Sequence, residues 1–405
     1  MSSKKHYLIP IILAAYALLL LIGSTYPFFE WQLLEFSEWF ASFESETRYV
    51  PRSDFILNIL IYIPLGLLIS ILLRTRVEGS LLLVYSSLIA AGFALGMELI
   101  QSFIPSRAHS FIDLLMNSIG SFAGALIHHV TKKHSTLGKK LRSLRYSWFM
   151  KGRYAELGMV IIALWALSEI SPLAPALKVS MLLNDFALFT QGLLDVSQWQ
   201  WLNILSFGFE IFVLFYITEC ILVNKNSTQF IFGIFAGIII YLKIPVADIQ
   251  LSPDFFWGLI LGIGLYFGFK NQTTKIRILL AIGALVSTYL IHQLNYPSHS
   301  SIENYTAFNW LPFDSDAKRI NRVTEILNIA WTFLALSFLT LSLKQTYIKK
   351  NGAIGLGIVI IVAFITEWQQ QFLQHTSADI TEVLIAVFAW ALPYFHPEIR
   401  RGLKN

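Results

Sequence analysis

The chain has 405 residues, of which 55% are hydrophobic and 14% are charged, and its formal net charge is +5. Soluble globular domains are roughly 45–50% apolar and about 25% charged, so the composition excludes that class. It also excludes a disordered chain, which needs the opposite bias. The single cysteine, Cys220, excludes a disulfide framework and a cysteine-based metal site. A polytopic membrane protein is the class that fits.

Apolar stretches of the length that a bilayer requires, about 20 residues, occur along the whole chain. Most of the 30 Lys and Arg residues fall on the same side as the amino terminus, and short basic loops stay in the cytoplasm. We therefore expect an all-α polytopic membrane protein with both termini cytoplasmic. It has twelve predicted transmembrane helices, at about residues 7–23, 54–73, 80–101, 111–130, 155–172, 203–223, 228–244, 253–269, 276–294, 323–345, 353–373 and 379–396.

The most basic run extends from Thr131 to Arg153. Such a run next to a membrane helix favours contact with anionic lipid headgroups, and we predict no nucleic-acid partner.

Landmarks recur along the chain and predict an internal repeat. Glu98-x-x-Gln101 returns 269 residues later as Glu367-x-x-Gln370. Two helices before each of these motifs, a similar segment begins with an asparagine, Asn58 in the first case and Asn328 in the second. A third such segment lies between them, at Asn203. The sequence thus predicts three tandem four-helix units of the same orientation, at 1–135, 150–272 and 274–400.

The first unit concentrates polar residues near the outer end of its predicted helices. Spacings of three and four residues place them on common helix faces. They are Asp54 and Asn58 on the second helix, Glu98 and Gln101 on the third, Arg107 in the turn, and Asp113 and Asn117 on the fourth. Ionisable residues inside a membrane are costly and mark candidate functional sites.

Arg107 is the predicted counter-charge of the three carboxylates in this group. Its planar guanidinium can bridge two carboxylates, or one carboxylate and a phosphate of a ligand. The same residues at the same spacings would also serve as interhelical hydrogen bonds that fix the packing. Gly120 and Gly124 extend the stripe on the fourth helix as a Gly-x-x-x-Gly contact surface.

These residues carry a resemblance to a known family. The pattern Asp54-x-x-x-Asn58 with Pro64-Leu65-Gly66, then Glu98-x-x-Gln101, then Pro105-x-Arg107-x-x-Ser110-x-x-Asp113-x-x-x-Asn117-x-x-Gly120 resembles the VanZ-like family over about residues 27–130. The family is named for a teicoplanin-resistance membrane protein. The resemblance implies an envelope protein of the bacterial inner (plasma) membrane, linked to susceptibility to lipid-tailed glycopeptides, and it implies no catalytic residue.

The third unit resembles the family more weakly. Its counterparts are Asn328, Glu367, Gln370 and Glu382, whereas Thr376 falls in the place of Arg107 and Ala386 in the place of Asn117. The middle unit keeps little besides Asn203 and Asp254. We therefore expect a ligand site in the first unit.

Other signals are sparse. The chain lacks a phosphate-binding P-loop, a His-Glu-x-x-His motif and a Gly-x-Ser-x-Gly motif. His375, Asp379 and Glu382 have ligand-like spacing, but a solvated helix start, capped by Asp379 or Thr376, explains them better. We predict no metal and no cofactor. The residues Glu169, Glu210 and Glu219 lie in predicted spanning segments without a clear basic partner nearby in the sequence.

Three functions remain open at this stage. The first unit could bind, or help move, an amphiphilic anionic envelope molecule at the outer leaflet, such as a membrane lipid or a lipid-linked molecule. It could be an enzyme on a lipid-linked substrate, with Glu98 or Asp113 as general base and Arg107 as electrostatic stabiliser. It could also be a structural partner of another envelope protein. The sequence predicts neither the ligand nor the oligomeric state, and a non-enzymatic role is favoured.

Overall fold

Contacts between residues divide the chain into two compact parts, Met1–Arg145 and Tyr146–Asn405, here called the N-terminal and C-terminal parts. The computed structural model describes residues 52–104, 111–132, 135–170, 189–243, 252–294, 308–310, 321–343, 348–372, 378–395 and some of 10–21. Within these residues the secondary structure is helical, with two isolated β-bridges. This all-helical structure is what the sequence predicts.

The N-terminal part contains three long apolar helices and a shorter basic one. They are α1 (Arg52–Leu73), α2 (Gly79–Gln101), α3 (Phe111–Thr131) and α4 (Thr136–Trp148), whose last turn crosses the boundary between the parts. The described residues of the predicted helix at 7–23 are also helical. One of them, Tyr16, donates from its hydroxyl to the Ile61 carbonyl at 2.6 Å.

Helices α1 and α3 pack unusually closely. A Cβ atom added to Gly120 would lie 2.2 Å from the Ile59 carbonyl oxygen, and one added to Gly124 would lie 2.0 Å from that of Ile63. Only glycine permits such an approach, as the Gly-x-x-x-Gly spacing indicates. The contact brings the polar faces of the two helices together.

Helix α4 lies within the basic run. Its leucines at 137, 141 and 144 are spaced along one face, and all three are exposed. Lys139 and Lys140 are exposed as well. This amphipathic pattern is typical of a helix that lies in the membrane interface, beside anionic headgroups.

The C-terminal part is built around α6, whose side chains from Glu210 to Glu219 are all buried. Helices α5, α7, α8 and α9 contact α6, while α10 contacts α5, α9 and α12, and α11 contacts α12. The helices are α5 (Arg153–Glu169), α6 (Trp201–Ile221), α7 (Thr228–Lys243), α8 (Pro253–Phe269), α9 (Thr274–Leu294), α10 (Asn321–Ser342), α11 (Ile348–Gln369) and α12 (Ile380–Phe395).

Six of the described helices are long and apolar enough to cross a membrane. They include α2, α3 and α6, together with Thr274–His292, Thr324–Ser342 and Gly352–Gln369, and three shorter apolar helices accompany them. Large apolar side chains point outward, as lipid contact requires; Leu88 is 62% exposed and Phe388 is 68% exposed. The chain is a multi-pass membrane protein. Each predicted segment from residue 54 onward coincides with a helix, but the count of twelve spanning helices and the three-unit repeat stay predictions.

Candidate functional site

The polar residues of the N-terminal part meet where α1, α2 and α3 pack. The Asn58 amide donates from Nδ2 to Oδ1 of Asp113 at 2.7 Å, which joins α1 to α3. The Asn117 amide donates from Nδ2 to Oε1 of Glu98 at 3.4 Å, which joins α3 to α2. Four of the seven predicted site residues therefore form two carboxylate–amide pairs across three helices.

The pair of Glu98 and Asn117 is deeply buried: Glu98 is 2% exposed and Asn117 is 4% exposed. The Oδ1 atom of Asn117 accepts no hydrogen bond from the described part of the chain. A buried polar atom without a partner is costly, and such atoms are rare in native structures. This acceptor is therefore available to a donor group.

The other three predicted residues are less fully defined. Gln101 is the last residue of α2, one turn after Glu98, and it is half-buried. Asp54 lies in the first turn of α1, but its side chain is outside the described residues, as is the whole of Arg107. The bridging role of Arg107 stays a prediction.

The local sequence explains why these side chains converge. Asp113 and Asn117 are one turn apart on α3, and Gly120 and Gly124 continue the same stripe into the close contact with α1. Sequence reasoning missed Tyr62, which is buried one turn after Asn58 on α1. The spacing of four residues from Asn58 was the signal that could have indicated it.

The structure also brings together two of the four counterparts in the third unit. Oε2 of Glu367 accepts from Nε2 of Gln370 at 3.1 Å, and Oε1 accepts from the Asp379 backbone amide at 2.7 Å. Asn328 instead accepts at Oδ1 from the Trp331 indole at 3.2 Å. Glu382 is half-buried in the first turn of α12.

The expectation that Asp379 marks a solvated helix start is wrong. The residue is fully buried, at 0% exposure. Its Oδ1 accepts from the Thr381 amide at 2.7 Å, so it caps α12, and the neighbouring backbone pairs with Asn309. His375 and Thr376 lie outside the described residues. Within the described residues, no group of three His, Cys, Asp or Glu side chains is arranged to hold a metal.

The three glutamates of the middle unit have partners that the sequence did not reveal. Lys243 pairs with Glu169 at 2.5 Å. Arg277 donates to both oxygens of Glu219, at 3.0 and 2.5 Å, and the Tyr266 hydroxyl adds a third donor at 2.8 Å.

The third of these glutamates, Glu210, binds two ring nitrogens. Its Oε2 accepts from the Trp165 indole at 2.9 Å, and its Oε1 lies 3.5 Å from Nε2 of His292. All three glutamates thus meet partners far away in sequence.

Taken together, the fold and the polar faces define a helical membrane protein with buried interhelical carboxylates. The family model described as VanZ/LLP1 matches residues 8–132. The chain therefore carries a VanZ-family domain in its N-terminal part, as the polar motif indicates. No curated protein and no solved structure matches this chain.

Proposed function

We propose that the VanZ-family domain binds, or helps to move, an amphiphilic envelope molecule with an anionic headgroup at the outer leaflet of a bacterial inner (plasma) membrane. The observation that carries the proposal is the buried pair of Glu98 and Asn117, with the unused acceptor at Asn117 Oδ1. An unused amide oxygen beside a carboxylate is suited to a hydroxyl or ammonium donor of the headgroup, and the anionic group itself would be bound by Arg107.

The arrangement of the pairs supports a site for a headgroup beside an apolar tail. Asn58 and Asn117 hold the carboxylates of Asp113 and Glu98 in fixed positions. In the sequence, Arg107 lies between the end of α2 and the start of α3, the two helices that carry these carboxylates. An arginine held by carboxylates binds an anionic group with paired hydrogen bonds. The exposed apolar side chains of α2 and α3 would contact the tail.

A structural role is the second candidate, and the short bond between Asn58 and Asp113 favours it. Polar side chains that bond across helices stabilise membrane bundles by about 0.6–2 kcal/mol each. In that case the network would fix the helix packing of a structural partner for another envelope protein, and every substitution in it would lower the amount of folded protein together with function.

The resemblance to teicoplanin-resistance proteins suggests the test. A teicoplanin-sensitive bacterial host would express the wild type, Arg107→Ala and Glu98→Gln, with membrane levels of each quantified. The matched control is Arg76→Ala, which removes a positive charge from the exposed turn after α1.

We expect the wild type and Arg76→Ala to protect the host, and both site variants to lose protection at equal membrane abundance. Protection by Arg107→Ala and Glu98→Gln at wild-type levels would overturn the proposal. Loss of function in strict proportion to loss of folded protein would favour the structural role instead.

A further inference from the structure

Four ionisable side chains from four helices meet inside the C-terminal part. Glu169 ends α5, Glu210 lies in α6, Lys243 ends α7 and His292 lies in the last turn of α9. Lys243 pairs with Glu169 at 2.5 Å, and His292 Nε2 lies 3.5 Å from Oε1 of Glu210. We call these four residues the buried charge cluster.

The charges of this cluster do not balance when the histidine is neutral. It has two carboxylates and one ammonium group, so one negative charge remains in excess. The Trp165 indole donates to Glu210 but brings no charge. An uncompensated ion inside a protein is unfavourable, and such a group normally takes up a proton or a counter-ion.

The surrounding helices bring no further charge to the cluster in the described part of the chain. From α8, the Phe255 ring lies 4.1 Å from Nζ of Lys243, and the neighbouring Asp254 accepts from the Gln200 amide instead. From α9, the Thr288 hydroxyl donates to the Ser206 carbonyl, one turn before His292 and Glu210 respectively. The imbalance is therefore a property of the four side chains themselves.

A second buried ion pair in the same part shows the contrast. Glu219 and Arg277 carry one charge each and meet through two hydrogen bonds, with the Tyr266 hydroxyl as a third donor. That pair is neutral as a whole and needs no proton. It offers an internal control for the cluster around Glu210.

The members of the cluster differ in exposure. The side chain of His292 is 50% exposed, whereas that of Glu210 is 5% exposed. One turn before Glu210, the Ser206 hydroxyl is buried and has no hydrogen-bond partner within the described residues. The half-exposed imidazole of His292 therefore lies between the buried carboxylate of Glu210 and the outside of the helix bundle.

We propose that the buried charge cluster is a proton-binding site, in which one proton is shared between His292 Nε2 and Glu210 Oε1. A hydronium ion of the bulk solution gives its proton to the imidazole and becomes water, and the cluster changes from one net negative charge to neutral. Glutamate and histidine chains inside membrane bundles are typical of proton relays. Histidine is suited to this role because its charge changes between about pH 5 and 8. The inference is independent of the function proposed for the VanZ-family domain.

The test is an infrared difference spectrum of the full-length protein in phosphatidylcholine vesicles, recorded between about pH 5 and about pH 8. Labelling with isotopically substituted histidine identifies the imidazole bands. The variants are Glu210→Gln, which can still accept from Trp165, and His292→Gln at the half-exposed position. The matched control is Glu219→Gln in the neutral pair.

We expect the pH-dependent imidazole bands to vanish in His292→Gln, to shift to lower pH in Glu210→Gln because the carboxylate partner is lost, and to stay unchanged in Glu219→Gln. If the imidazole bands remain in His292→Gln, or if they titrate at the same pH in Glu210→Gln as in the wild type, the proposal is wrong. Thermal unfolding and circular dichroism would check that each variant is folded. If Glu210→Gln does not fold, His292→Gln decides, because loss of the pH-dependent imidazole bands in that variant identifies His292 as the group that takes up the proton.

Discussion

Asn58 and Asp113 are joined by a hydrogen bond of 2.7 Å from the amide Nδ2 to the carboxylate Oδ1, across the packed faces of α1 and α3. The residue after Asn58, Ile59, presents its carbonyl oxygen to Gly120, where an added Cβ would lie 2.2 Å away. The polar pair and the close backbone contact thus belong to the same helix–helix surface. The geometry of the candidate site depends on that contact.

Replacement of Asn58 by alanine removes this bond and leaves the half-buried carboxylate of Asp113 with fewer donors. We expect Asn58→Ala to lower the free energy of unfolding by about 1–3 kcal/mol, because an acceptor loses its partner inside the bundle. A double-mutant cycle with Asp113→Ala should give a coupling of about 0.6–1.7 kcal/mol. Unfolding in mixed detergent micelles measures both quantities, and additive effects of the two substitutions would contradict a direct interaction.

The close contact of α1 and α3 gives a second prediction. Gly120→Ala should destabilise the N-terminal part by about 1–3 kcal/mol, because the added methyl group meets backbone that cannot move aside cheaply. Gly92→Ala in α2 is the matched control, since a Cβ there has open space within 4 Å. It should be neutral or stabilising by up to about 1 kcal/mol from helix propensity. Equal melting temperatures for the two variants would contradict the contact.

Much of the helical framework could be predicted from hydropathy alone. The helices follow the apolar stretches from residue 54 onward. Some observed helix ends differ from the predicted ones, because polar residues also belong to the helix. For example, α11 begins at Ile348 rather than 353, because the helix continues through the polar residues Lys349 and Lys350. Backbone hydrogen bonding sets a helix end, and apolar character does not.

The polar pairs of the N-terminal part were predictable for a different reason. Asp113, Asn117 and Gly120 share one face of α3, and a polar face inside a membrane helix must meet other polar groups. In the sequence, the partners of Glu169 and Glu219 could not be recognised. Lys243 and Arg277 lie at the ends of their helices and resemble loop charges, and their pairing depends on how α7 and α9 pack.

The predicted repeat receives indirect support from the packing. In each predicted unit the second and fourth helices contact each other, as α1 with α3, α6 with α8 and α10 with α12. In the middle unit a Cβ added to Gly258 would lie 3.1 Å from the carbonyl oxygen of Ile204, the residue after Asn203. In the same way, a Cβ added to Gly120 would lie close to the carbonyl oxygen of Ile59, the residue after Asn58. The three-unit organisation nevertheless stays a prediction.

The neutral ion pair of the C-terminal part gives a third prediction. Arg277→Met should lower the free energy of unfolding by about 3–5 kcal/mol, because Glu219 then remains buried without a cation. The exposed pair of Arg153 and Glu156, with side chains 48% and 38% exposed, is the control. Arg153→Met should cost less than about 1 kcal/mol. Unfolding in detergent measures the free energy of unfolding of both variants. A similar loss at the two sites would contradict the claim that the buried pair of Arg277 and Glu219 stabilises the fold more than an exposed pair does.

Glu367 gives a fourth prediction, for the third unit. Its Oε1 accepts from the buried Asp379 amide and its Oε2 from Gln370, so it holds the start of α12 against the end of α11. Glu367→Gln keeps one acceptor oxygen and should change stability little. Glu367→Leu leaves the Asp379 amide without a partner and should cost about 1–3 kcal/mol. Hydrogen exchange at the Asp379 amide checks the reason, since only the leucine variant should exchange faster.

Native mass spectrometry tests most directly the claim that the polar cluster of the VanZ-family domain binds an anionic amphiphile. The detergent-solubilised full-length protein would be mixed with equal amounts of phosphatidylglycerol and phosphatidylcholine, as the wild type, Arg107→Ala and Arg76→Ala. We predict that the wild type and Arg76→Ala retain phosphatidylglycerol in preference, and that Arg107→Ala loses this preference. Equal retention of phosphatidylglycerol by the wild type and Arg107→Ala would contradict the claim.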